Sequence, residues 1–156
     1  MGYTHYFEQT TAIPTDKIQS IKKEARKLLR TDMAKAEVRY EGYSNAPALI
    51  QNGTKGIIRF NGIGGDAHET FYLDLVEPAG MFDFCKTARK PYDKYVCSIM
   101  ISLAFLAPSC FDLGSDGSLR EPEWQDAIDY YSRTLGKDRE EVESVVAHFI
   151  MGEVLN

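Results

Sequence analysis

The chain has 156 residues, 44% of them apolar and 26% charged, with a formal net charge of −5; this composition predicts one globular domain spanning residues 1–156 and argues against extensive disorder. No apolar run is long enough to cross a bilayer, and the start, Met1-Gly2-Tyr3-Thr4-His5-Tyr6, lacks the basic-then-apolar plan of a secretory signal, so a cytoplasmic protein with no membrane partner is expected. The negative charge speaks against general nucleic-acid binding, and three cysteines without a C-x-x-C pair exclude a fully paired disulfide scaffold and the usual structural zinc site.

Tyr3 to Phe7 reads as a short strand, with Tyr3 and His5 on one face and Tyr6 on the other. Pro14, Thr15 and Asp16 start a helix whose Ile18, Ile21, Ala25, Leu28 and Leu29 recur at helical spacing, with Lys22, Lys23, Arg26, Lys27 and Arg30 on the opposite face. Short strand-like runs follow at Glu37–Tyr40, Ala48–Gln51, Gly56–Asn61, Glu69–Val76 and Met81–Cys85, separated by turn residues at Asn52-Gly53, Gly62/Gly64/Gly65 and Pro78/Gly80. From Pro91 to Pro108 the pattern is helical and apolar on nearly every side, as in a central buried helix. Pro122 opens another helix, with Trp124, Ala127, Ile128, Tyr131 and Leu135 inward, that Gly136 ends; Asp138 and Glu141 cap a last one. The expected fold class is therefore α+β, a mainly antiparallel sheet packed by about four helices. Eleven acids and four bases follow residue 110, so the carboxyl-terminal helices are net −7 and the rest about +2.

Four constellations carry chemical promise. Lys86-Thr87-Ala88-Arg89-Lys90-Pro91-Tyr92-Asp93 gathers three cations at the start of the central helix, where the dipole repels them unless an anion is bound; the alternative pairs them with Asp83, Asp66 or the acidic helices. Asn61-Gly62-Ile63-Gly64-Gly65-Asp66-Ala67-His68-Glu69-Thr70 is a glycine-rich turn dense in polar groups, and His68 with Asp66 or Glu69 has the makings of a general base. Asp112, Asp116 and Glu123 fall at calcium-loop spacing, although Gly114 replaces one side-chain ligand. Tyr3, His5 and Tyr6 either pack under the sheet or stack on a ring. Cys85 beside Lys86 is a candidate for a lowered thiol pKa.

Gly2-Tyr3-Thr4-His5-Tyr6, His68-Glu69-Thr70-Phe71, Phe84-Cys85-Lys86-Thr87-Ala88-Arg89-Lys90-Pro91-Tyr92-Asp93, and Ser115-Asp116-Gly117 with Trp124 together resemble a group of small tailed-bacteriophage and prophage proteins of unassigned function. The segment from about Gly136 is less typical. The resemblance implies a phage origin and a host-cytoplasm location, and no activity.

The expected function is that of a non-catalytic phage accessory protein, without a cofactor, that binds a small anionic, nucleotide-like ligand and so sequesters a host defence signal. Lys86, Arg89 and Lys90 would neutralise phosphate, and Tyr3, Tyr6 or Tyr92 would stack on a base. Asn61, Asp66 and His68 would read polar edges, with His5, Thr87 and Asp116 beside them. Two alternatives stand: a phosphate-ester hydrolase or transferase using His68 with Asp66 or Glu69, and a protein–protein inhibitor acting through the acidic helices. A homo-oligomer is left open.

Overall fold

In the computed structural model, which describes residues 2–77 and 84–153, the helical periods become α1 (Thr15–Leu29), α2 (Asp32–Glu37), α3 (Asp93–Leu106), α4 (Pro122–Leu135) and α5 (Arg139–Val145). The strands are β1 (Thr4–Gln9), β2 (Leu49–Ile50), β3 (Ile57–Phe60), β4 (Phe71–Asp74), β5 (Phe84–Lys86) and β6 (Phe111–Ser115). They form two three-stranded antiparallel sheets, ordered β5-β1-β6 and β2-β3-β4. The fold class is α+β, as a run of strand periods followed by helical ones predicts. No helix among the described residues is long and apolar enough to cross a membrane.

α3 is the hub. Every residue from Tyr95 to Ala104 is buried, and the helix packs against α1, α4, α5, β1 and β6, so its lack of a polar face reflects neighbours on all sides. α4 is amphipathic, with Trp124, Ala127, Ile128 and Tyr131 buried, and ends where Gly136 takes the left-handed conformation at φ 66°. The expected cap on α5 forms, with the Glu141 amide donating to Asp138 Oδ2 at 3.2 Å, and the helix widens over Val146–Ile150.

Several boundaries differ from the sequence reading. The expected strand at Glu37–Tyr40 is the end of α2 followed by a single bridge, Arg39 to Asn61, because Thr31 Oγ1 caps a short extra helix. Part of the Met81–Cys85 run and the Pro78/Gly80 turn lie outside the described residues. Residues 111–115 form β6 on the edge of β1, where the calcium-loop alternative would require a curled loop. α3 starts at Asp93 rather than Pro91, after two successive turns closed by Lys90 N to Thr87 O (3.0 Å) and Asp93 N to Lys90 O (2.9 Å). Lys22, expected on the solvent face of α1, is fully buried, its ammonium donating to the carbonyls of Gly53 (2.9 Å) and Lys55 (2.6 Å). Burial lowers its pKa.

Candidate functional site

Side-chain alternation along β1 decides what the sheet does. Tyr3, His5 and Phe7 point inward and are buried, while Tyr6 and Glu8 point outward and are exposed. Inside, His5 Nε2 lies 2.6 Å from Asp93 Oδ1 and its Nδ1 lies 2.9 Å from Ser115 Oγ. Ser115 Oγ also accepts from the Trp124 indole and the Gly117 amide, both at 2.9 Å. Those two obligate donors fill its lone pairs, so its own proton goes to His5 Nδ1. The imidazole is then neutral with its proton on Nε2, donated to Asp93. The Thr87 hydroxyl donates to the same carboxylate oxygen, and the Cys97 thiol reaches Oδ2 at 3.5 Å. Asp93, the first residue of α3, thus collects three donors and lies at the positive end of the helix dipole. The anion at the start of the central helix is the chain's own.

His5 Nε2, an Asp93 oxygen and Cys97 Sγ lie within 4.8 Å of one another, a nitrogen–oxygen–sulfur set of the kind that holds transition metals. The hydrogen bonds do not suit that role. Ligation through Nε2 would leave Nδ1–H facing a Ser115 oxygen with no free lone pair. Burial and Asp93 also push the Cys97 thiol well up, so the cluster serves as a satisfied polar core. Cys85 likewise moves opposite to expectation: burial raises its thiol pKa, while the neighbouring Lys86 is exposed on the other face.

Above this core sits Arg89. Ala88 and Arg89 both have positive φ, 52° and 58°, forming a type I′ turn without glycine or asparagine. The turn lays the guanidinium 4.0 Å over the Tyr3 ring and against Glu121 (2.9 Å) and Glu123. The hydrogen bond with Arg89 lowers the Glu121 pKa and raises that of Arg89. Arg89 is therefore neutralised by the acidic helix, as the alternative reading of the cation cluster has it, and Glu123 is engaged as its partner rather than as a calcium ligand. Lys86 and Lys90 have no carboxylate partner among the described residues.

The glycine-rich segment is built by Asn61, whose Oδ1 accepts from the Gly62 and His68 amides and whose amide donates to His68 O and Thr70 Oγ1. Asn61 is buried and serves the turn rather than a ligand edge. The His68 ring is exposed, and among the described residues no carboxylate is hydrogen-bonded to it. The segment abuts the cation run, with Glu69 N donating to Lys86 O at 3.2 Å and Tyr92 Oη to Glu69 O at 2.5 Å. Tyr3, Tyr92, His5 and Thr87 are all buried. The expected clusters are thus neighbours, and the depressions at Tyr130, Ile13, Ile57 and Tyr6 are not lined by His68, Lys86 or Arg89.

Among the described residues, one surface open to a ligand is the outward face of the β5-β1-β6 sheet. Tyr6 and Phe84 are paired across β1 and β5 and are 45% and 39% exposed, an unusual adjacency of two uncovered rings. The neighbouring pair on this face is Thr4, itself buried, with the exposed Lys86. Tyr6 Oη donates to Asp116 Oδ1 at 3.2 Å, and Asp116 Oδ2 accepts from the Thr4 amide, so Asp116 pins the ring. Beyond Gly114 a depression of about 320 Å³ is lined by Tyr6, Glu8, Asp112, Leu113 and Gly114. Sequence reasoning placed Tyr6 on this face through its alternation with His5; it missed Phe84 and Glu8, and it missed Asp93, Cys97 and Ser115 as the inner network. The i, i+4 spacing of Asp93 and Cys97 on a helix otherwise apolar was the available signal.

Comparison with known proteins gives no match to a protein-family model, a curated protein or a solved structure.

Proposed function

We propose that this protein binds, without transforming it, a small aromatic ligand bearing an anionic group, a nucleotide-like molecule, on the outward face of the β5-β1-β6 sheet. The observation that carries this reading is the exposed cross-strand pair Tyr6 and Phe84 beside Lys86, which has no carboxylate partner among the described residues. Aromatic rings on an open sheet face offer a stacking platform to a base, and an adjacent lysine attracts phosphate. Of the residues expected to bind ligand, Tyr6 and Lys86 keep that role, Asp116 becomes the group that orients Tyr6, and Arg89 becomes structural. In the phage setting implied by the resemblance, such binding would withhold a nucleotide signal from the host.

The other readings have less support. His68 lacks a carboxylate partner among the described residues, which a general base needs for orientation. On the acidic helices, Asp129 and Glu143 pair with Arg133, Arg139 and Arg120, which reduces the free charge an inhibitor surface would present.

A thermal-shift series with mono- and dinucleotides tests the proposal. Ligand at 100 times its dissociation constant should add about 2.7 kcal/mol of stability, the compound should be recovered intact, and Tyr6→Ala and Lys86→Ala should each reduce the shift. No shift with any of these compounds, or equal shifts in both variants, rejects it.

A further inference from the structure

Resting on the ligand face proposed above, we infer that its far end selects guanine. Along β1 the outward face has three zones. Thr4 with Lys86 is the cationic end, Tyr6 with Phe84 and Gly114 is the aromatic middle, and Glu8 with Asp112 is the acidic end. From Thr4 to Glu8 the strand rises about 14 Å, which is close to the length of a mononucleotide and exceeds the screening length of about 8 Å at physiological salt. A phosphate held at Lys86 is therefore little repelled by the acids at the other end.

Glu8 and Asp112 stand directly opposite each other on β1 and β6, both exposed, and neither has a cation within ion-pairing distance among the described residues. Like charges in that position destabilise a sheet. They flank the 320 Å³ depression beside the Tyr6 ring, so a base stacked on that ring turns its edge toward two groups that only accept hydrogen bonds. Guanine alone among the common bases presents two adjacent donors there, N1–H and the N2 amino group, which match one carboxylate in a bidentate pair. Adenine and cytosine place a lone pair next to their amino group, and uracil flanks its single N–H with two carbonyls. A basic peptide would satisfy the acidic end but would meet Lys86 at the other.

Calorimetric titration of the full chain with GMP, AMP, UMP, inorganic phosphate and the dinucleotide GpU is the test. GMP should bind at least tenfold more tightly than AMP or UMP, and phosphate alone weakly. Glu8→Ala combined with Asp112→Ala should abolish the preference for GMP over AMP and UMP; both positions are exposed, and an unaltered melting temperature verifies folding. Equal affinity for the three mononucleotides overturns guanine selection but leaves the ligand face standing, whereas no binding of any nucleotide overturns both. Tighter binding of GpU than of GMP overturns assignment to a free mononucleotide.

Discussion

Asp93 is a buried carboxylate whose three donors come from different parts of the chain: His5 on β1, Thr87 in the linker and Cys97 one turn along α3. Removing the carboxylate would leave the His5 and Thr87 donors unpaired in the interior, so Asp93→Ala should cost about 2–4 kcal/mol in chemical denaturation. If the loss is below about 1 kcal/mol, the hydrogen-bond assignment is wrong. Ala88 makes the opposite case, because a left-handed backbone is strained for any side chain. Ala88→Gly should raise stability by about 0.5–1 kcal/mol without altering the ligand face, read as a shift in denaturation midpoint. A fall would mean the turn is not strained. At this scale the sequence is only partly readable. Tyr6 could be assigned outward because strand alternation is local, whereas the partners of Arg89 and Asp93 depend on contacts between segments far apart in the chain.

At the scale of elements, the long helices were legible because their apolar periods exceed any alternative, and Gly136 and Asp138 mark their ends chemically. β6 was not, since Asp112 and Gly114 are poor strand formers and only pairing with β1 makes them extended. α2 was hidden for a related reason: it is six residues long and buries Ala34 alone. The glycine-rich segment shows what packing adds to composition. A Cβ on Gly62 would lie 2.2 Å from the Asp66 carbonyl oxygen, whereas one on Gly65 meets nothing within 4 Å. Gly62→Ala should therefore lose about 1–3 kcal/mol and Gly65→Ala should stay within about 0.5 kcal/mol of the parent. Equal effects in parallel urea melts would show that the turn is not built as described.

Across the whole molecule, protonated side chains are buried in number. Tyr3, Tyr92, Tyr95, Tyr130, Tyr131, Cys85 and Cys97 all have pKa values raised mainly by burial. A raised folded-state value means that the unfolded chain ionises first, at about 9 for cysteine and 10 for tyrosine. Their contribution is intact below those values and lost as pH rises beyond them. Lys22 has the opposite sign, its lowered pKa adding stability as pH approaches 10.5, but it is one group against seven. The denaturation midpoint should fall between pH 8 and pH 11. Five of the nine tyrosines should resist ionisation until the chain unfolds, visible as a delayed rise in tyrosinate absorbance; a smooth titration of all nine in the native state would contradict this.

β1 is the middle strand of its sheet, yet both its neighbours come from much later in the chain, β5 at Phe84–Lys86 and β6 at Phe111–Ser115. During translation at about 5–20 residues per second, it waits roughly 5–20 s for the second of them to emerge. Throughout that interval Tyr3, His5 and Phe7 have no finished interior to enter. The nascent protein therefore presents an aromatic strand with two unsatisfied edges to whatever chaperone stands at the ribosome exit, and its yield in a cell should depend on that encounter more than on the stability of the finished molecule.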